Sequence, residues 1–346
     1  MAKIPVSLVA GFLGAGKTTL LNHILNGEHG RRIGVLVNDF GAINIDSQLI
    51  SRVEGETISL TNGCVCCSIR DDLVSAIEQL LQLQPCPDMI VVETSGVSDP
   101  KAAAMAIVMS THLAAATELD VVITVIDASE LLELDEVNGK LAEDQIAVAD
   151  ITIINKTDLV TPGICQQVAG HIKEIAPQSR IIMAIQADVP LELLLGLSLH
   201  PQHSTLMDTN ITDATEHDRH EHTDHALSYS SYSWQHEEPL AFEAAYRTFQ
   251  SLPASVFRCK GILYIREVPD KRVILQMTGK RVTLAKGEPW GETAPASQIV
   301  AIGAKDKTDA KELEERFKAC LSDTASPSAN PMTQAVIEIL RKGGKA

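Results

Sequence analysis

The sequence predicts an α/β fold in two parts, a first domain on a mostly parallel sheet and a smaller α+β domain after it. Three observations carry this expectation. Short, unbroken aliphatic runs alternate with helix-length segments through the first half, the pattern of strands covered on both faces by crossover helices. From about residue 200 to 238, Ser, Thr, Asp, Glu and His displace the aliphatic residues, which makes that stretch too polar to bury a core. Beyond it the apolar runs return, and 346 residues are enough for two domains with cores of their own.

Taken in order, strands are expected at 6–10, 33–38, 89–93, 121–127, 151–155 and 181–184, with helices at 19–25, 71–83, 140–148 and 162–175. The opening run follows a single basic residue and superficially suits a signal peptide, but it leads straight into a glycine-rich turn, so it reads as the first strand. After the polar stretch, 240–251 reads as a helix and 256–266, 272–277 and 281–285 as strands, the last two joined through Thr278-Gly279-Lys280. Residues 298–302 add a strand and 309–320 a helix. A Ser/Pro/Ala-rich spacer and a short amphipathic stretch at 332–340 precede a basic end. The expected division is 1–199, a linker at 200–238, a second domain at 239–321 and a flexible tail at 322–346.

Composition narrows the function. A formal charge of −16 repels a phosphate backbone, and aromatics at 3% leave few platforms for stacked bases, so nucleic acid is not an expected partner. No run approaches the roughly 18 apolar residues of a membrane span, and no membrane role is expected. The seven cysteines are an odd number, with three of them in Cys64-Val65-Cys66-Cys67. That is no disulfide framework; it fits a reducing cytoplasm with thiols free for metal or redox work.

Gly11-x-x-x-x-Gly16-Lys17-Thr18 matches the phosphate-binding loop pattern, with a strand before it and a helix after it. Its glycines let backbone N–H groups turn inward, so Gly11, Gly14, Ala15, Gly16, Lys17, Thr18 and Thr19 are assigned to the nucleotide. Lys17 would bridge the β- and γ-phosphates, and the Thr18 hydroxyl would ligate Mg²⁺. Asn155-Lys156-Thr157-Asp158 follows a strand where GTPases carry Asn-Lys-x-Asp. A carboxylate at Asp158 can accept from guanine N1–H and its 2-amino group, and adenine would leave it unpaired. Asn155, Lys156 and Asp158 therefore select GTP over ATP. Glu93 ends a hydrophobic strand, placed to hold Mg²⁺ through water, and the Gly96 N–H would meet the γ-phosphate. Lys17 and Glu93 are the candidate catalytic residues. Val97 stands where many GTPases carry the Gln that orients water, so intrinsic hydrolysis should be slow.

Three thiols at Cys64, Cys66 and Cys67 suit Zn²⁺ or another borderline cation, and are one short of a closed tetrahedral set. A site that borrows its last ligand is suited to passing metal on. The 11–18 loop, Glu93-Thr94-Ser95-Gly96, Cys64-x-Cys66-Cys67 and 155–158 together resemble the CobW family of metallochaperone GTPases. The resemblance runs over about residues 4 to 320, through Phe257-Arg258-Cys259-Lys260-Gly261 and Gly287-Glu288-Pro289-Trp290. It implies a P-loop GTPase domain with a CobW-type C-terminal domain, GTP-dependent delivery of Zn²⁺ or Co²⁺ to a client metalloprotein, and a metal site on the Cys motif. Asn38-Asp39-Phe40-Gly41-Ala42 departs from the family's usual Asn-Glu-Phe-Gly-Glu, leaving Asp39 and Asp46 as auxiliary acids for Mg²⁺ or metal.

Seven of the eleven His fall between 200 and 236, and His217, His220, His222 and His225 are interleaved with acids. Imidazoles there would collect a cation for the thiols, against the competing explanation of a solvated linker with incidental histidines. His112 is a further candidate to approach the thiols. Two alternatives to zinc delivery stay open: a cobalt chaperone for corrinoid synthesis or nitrile hydratase, and a zinc buffer whose GTP site is regulatory. A homodimer formed through nucleotide or metal is a further expectation.

Overall fold

The structure, a computed structural model, describes residues 3–27, 29–38, 57–60, 68–195, 229–305, 307–321 and 331–342. The first unit contains β1 (Ile4–Ala10), α1 (Lys17–Asn26), β2 (Ile33–Asn38), β3 (Thr57–Leu60), α2 (Ser68–Gln82), β4 (Met89–Glu93) and α3 (Pro100–Met109). It continues with β5 (Thr117–Asp127), α4 (Glu136–Ala147), β6 (Ile151–Asn155), α5 (Pro162–Ile175), β7 (Arg180–Met183) and the short α6 (Leu191–Leu194). The strands form one parallel sheet in the order β3-β2-β4-β1-β5-β6-β7.

The period of two explains why the strands read as unbroken apolar runs. In β4, Met89 and Val91 join Leu20, Leu21 and Ile24 of α1 on one face. Ile90 and Val92 join Leu73, Ile77 and Leu80 of α2 and Ile107 of α3 on the other. With β1 central, Val9 pairs with Glu93 and Asp127 with Asn155, so the C-terminal ends of β1, β4, β5 and β6 share one edge. In open parallel sheets that edge is where ligands bind.

Three elements here were not anticipated: β3, α3 and the single-turn α6. β3 has four residues and pairs with β2 alone, at the end of the sheet. α3 is rich in Ala and Met with exposed Met105, Val108 and Met109, so it lacks the polar face that marks an amphipathic helix.

The second unit contains β8 (Tyr229–His236), α7 (Phe242–Gln250), β9 (Val256–Tyr264), β10 (Lys271–Thr278), β11 (Arg281–Pro289), β12 (Ser297–Ala304), α8 (Ala310–Ala319) and α9 (Pro331–Lys342). Its five strands run antiparallel in the order β11-β10-β9-β12-β8, with Phe242, Phe249 and Phe317 packing under one face.

Two expectations are corrected. The polar stretch does not continue to 238, because Tyr229-Ser-Ser-Tyr-Ser-Trp-Gln-His forms β8 along the whole of β12. It reads as linker because an edge strand keeps polar residues on its open face; its anchor, Trp234, is buried 5.7 Å from the Phe317 ring. Nor is 322–346 a flexible tail throughout. α9 buries Leu340, Arg341 Nε donates to the Glu267 carbonyl at 2.9 Å, and Lys271 Nζ donates to the Arg341 carbonyl at 3.0 Å. The amphipathic stretch expected at 332–340 is this helix, and docking against the second unit holds it in place.

The two units share a core, with Phe257, Ile302 and Ala304 of the second in one buried cluster with Leu193, Leu194 and Leu195 of the first. Among the described residues no helix is long and apolar enough to cross a membrane.

Candidate functional site

The turn between β1 and α1 builds the phosphate end of the site. Gly16 has φ of 109°, a left-handed conformation that glycine adopts without strain, and a Cβ there would stand 2.3 Å from Asn155 Nδ2. No side chain caps α1, so its first N–H groups and the positive end of its dipole face the turn. Lys17 is buried, and its Nζ donates to the Phe12 carbonyl at 3.1 Å, folding the ammonium back over the loop. Thr19 is exposed at the rim.

The end of β4 supplies the acid. Thr18 Oγ1 donates to Glu93 Oε1 at 3.0 Å across 75 positions of sequence, and Glu93 is buried. A hydroxyl and a carboxylate brought together beside a helix N-terminus are the oxygen donors that Mg²⁺ takes, alongside nucleotide phosphates and water. The donor set fits that ion.

The base end is organised by Asn155 rather than merely lined by it. Its Nδ2 donates to the Ala15 carbonyl at 2.9 Å and its Oδ1 accepts from the Ala187 N–H at 2.7 Å. One buried side chain thus ties the phosphate loop to the turn after β7. Thr157 is bound to the same turn, its Oγ1 donating to the Ala184 carbonyl at 3.0 Å. In that turn Gln186 and Ala187 have positive φ, and Gln186 faces the open cleft shared by Gly14, Gly16, Thr19 and Asp158. Asp158 is exposed to it. Lys156 is left-handed, with φ of 59°, and its Nζ donates to Asp127 Oδ2 at 2.6 Å.

Asp127 was not singled out from sequence, although it ends an apolar strand just as Glu93 does. Its Oδ1 accepts from both the N–H and the hydroxyl of Ser129, at 2.8 and 2.6 Å. Burial would raise this carboxyl, but Lys156 and Ser129 outweigh it and hold the group below the usual carboxylate range.

The loop after β4 completes the arrangement. Gly96 is wedged against the phosphate loop, where a Cβ would lie 2.7 Å from the Leu13 nitrogen. Its carbonyl accepts from Gln145 Nε2 at 3.1 Å, and Gln145 is a second residue that no motif flagged. Val97 is 45% exposed and brings no polar group to the site.

Residues 11, 14–19, 93, 96, 155, 156 and 158 therefore converge on one edge of the sheet. Cys64, Cys66, Cys67, Asp39, Asp46, His217, His220, His222 and His225 lie outside the described residues. Among the described residues no cluster of three or more His, Cys, Asp or Glu is set to hold a metal. His112 is exposed, with Nδ1 3.6 Å from Glu78 Oε1 of α2.

The chain is similar to known proteins over most of its length. Residues 5–183 match the family model described as CobW/HypB/UreG, nucleotide-binding domain, and residues 229–321 match the cobalamin synthesis protein cobW C-terminal domain. The zinc chaperone CobW of Pseudomonas aeruginosa is 30% identical over 340 residues, covering 88% of this chain and 88% of its own. The zinc-regulated GTPase metalloprotein activator 1 of Dictyostelium discoideum is 27% identical over 383 residues, covering 97% of this chain and 78% of its own. Among solved structures, that of Zn(II)-bound YjiA GTPase from E. coli covers 92% of this chain and 99% of its own, at 24% identity and a TM-score of 0.44.

Proposed function

The chain belongs to the CobW/HypB/UreG family, and from that premise we propose that it is a GTPase metallochaperone that binds Zn²⁺ and passes it to a client metalloprotein. The observation that carries the reading is the Thr18–Glu93 contact at 3.0 Å, which joins the phosphate loop to the strand that leads into the Gly96 loop. Relatives named as a zinc chaperone and a zinc-regulated GTPase activator support zinc as the cargo.

In this reading Lys17 and the first N–H groups of α1 hold the phosphates, and Asp158 reads the guanine edge. Thr18 and Glu93 would hold Mg²⁺, which supplies charge neutralisation on the phosphate oxygens. Gly96 lies where its loop senses whether a γ-phosphate is present. The cargo binds the thiolates of Cys64, Cys66 and Cys67. These stand in sequence immediately before α2, which packs on α3, the helix that follows the Gly96 loop. Loss of the γ-phosphate shifts that loop and with it the thiols' preference for the cation. The acid-flanked histidines at 217–225 collect the ion, and Asp39 is an auxiliary carboxylate for Mg²⁺ or the cargo.

The test is GTP turnover titrated with buffered Zn²⁺, Co²⁺ and Ni²⁺, with Zn²⁺ affinity measured in the GTP-analogue and GDP forms. We expect stimulation by Zn²⁺ that a Cys64/Cys66/Cys67 triple substitution removes, and unequal affinities in the two forms. Equal affinities and metal-insensitive turnover would falsify the coupling. Val97 further requires slow hydrolysis without a partner, below about 1 s⁻¹ in a single turnover.

A further inference from the structure

Gln145 lies at the end of α4, wholly buried, 49 positions from Gly96 in sequence. A buried neutral amide needs partners for two N–H bonds and its oxygen. Both N–H bonds are used on a single loop: Nε2 donates to the Gly96 carbonyl at 3.1 Å and to the Ser98 carbonyl at 3.2 Å. Oε1 is buried and has no hydrogen-bond partner among the described residues. The residue's own carbonyl accepts from Thr124 Oγ1 of β5 at 2.8 Å, and Thr124 is itself buried. The Gln145 backbone is thereby tied to β5 of the sheet.

The effect on the loop follows from peptide planarity, since fixing a carbonyl fixes the N–H on the other side of the same peptide. The Ser95 carbonyl accepts from the Ser98 N–H at 3.1 Å and from the Ser98 hydroxyl at 2.8 Å, which sets the direction of the Gly96 N–H. The Gly96 carbonyl is held by Gln145, which sets the direction of the Val97 N–H. Leu13 of the phosphate loop closes the other side of Gly96. Two successive peptides beside the phosphate loop are thus aimed by hydrogen bonds, and one of the two depends on a side chain from a distant helix. Such preorganised N–H groups stabilise developing negative charge because they need no reorientation during reaction.

We propose that Gln145 is a positioning residue for GTP hydrolysis, fixing the Gly96 carbonyl and with it the turn whose Gly96 N–H meets the γ-phosphate. This rests on the GTPase reading above. Gln145 touches neither the base cleft nor the Thr18–Glu93 pair, so GDP binding should not need it. The oxygen without a partner is consistent with a role set by the two donated bonds, because an apolar side chain of the same length would otherwise be the better occupant of a buried position.

The experiment compares wild type with Gln145→Met, which keeps the length and removes both donors. We expect GDP affinity within about twofold of wild type, kcat for GTP reduced at least about tenfold, and the preference for a non-hydrolysable GTP analogue over GDP diminished. Unchanged kcat and unchanged preference would overturn the proposal. Wild-type protein that hydrolyses no GTP would instead count against the GTPase reading. If Gln145→Met does not fold, Thr124→Val provides the second test, since it releases the Gln145 carbonyl while conserving volume. The proposal then requires a fall in kcat with GDP affinity retained, and an unaltered kcat overturns it.

Discussion

Arg258 of β9 and Asp120 of β5 form a buried ion pair across the two units, with Nη1 and Nη2 both 3.1 Å from Asp120 Oδ2. The guanidinium also donates to the carbonyls of Leu193 and Leu194 and to Thr278 Oγ1. Burial would raise the Asp120 carboxyl, yet Arg258 and then Lys260 hold it below its ordinary value. Removing the acid leaves a charge stranded in the seam. Asp120→Ala should therefore cost about 3–5 kcal/mol in urea unfolding, while replacing both partners by apolar residues, Asp120→Leu with Arg258→Met, should recover most of it. A single substitution as mild as the double one would show that the pair does not join the units.

That pair also marks the limit of what was legible in the sequence. β4 and β6 were readable because they are buried on both faces, so their runs have no polar interruptions. The phosphate loop and 155–158 were readable because each motif's chemistry is local. Asp120, Asp127 and Gln145 were not, since their meaning lies in partners 138, 29 and 49 positions away. β8 was missed for a different reason: its exposed Ser231 and Ser233 line the open face of an edge strand, and composition alone makes such a strand look like a linker.

Asn155 holds two loops with one amide, and its truncation should be felt in nucleotide binding before stability. Asn155→Ala leaves the Ala15 carbonyl and the Ala187 N–H buried without that partner. At about 1–3 kcal/mol for each unsatisfied group, GDP affinity should fall at least about tenfold. Calorimetric titration with GDP checks this, and an affinity within about twofold of wild type would mean the two loops are aligned by other contacts.

Asp127 makes a pH-dependent contribution of defined sign. Its carboxyl is held low in the folded protein, so the stability it contributes is present above the usual carboxylate range and is lost as pH falls through the folded value. Asp127→Asn should make melting temperature less sensitive to acid between about pH 5 and pH 3. It should also weaken GDP binding by releasing Lys156, which the carboxylate holds at 2.6 Å. Identical acid profiles in the two proteins would assign the acid sensitivity to other carboxyls.

Lys260 gives the opposite dependence, in the alkaline range. It sits on β9 in register with Gln276 and Val300, two positions beyond Arg258. Burial pushes its ammonium down to about 8, Asp120 and Glu118 pull it up, and Arg258 and Arg31 add to the lowering. Between about 8 and the unfolded value of about 10.4, the unfolded chain holds a proton on Lys260 that the folded chain has lost. Stability must then rise with pH across that window. Tyr229 acts the other way above it, because burial and Glu192 raise its hydroxyl to about 12, so that stability falls once the unfolded tyrosine ionises near about 10. Urea midpoints taken at steps from about pH 7 to pH 10 should therefore climb more steeply in the wild type than in Lys260→Met. A climb of equal slope in both proteins would place the titrating group elsewhere than in the seam between the two sheets.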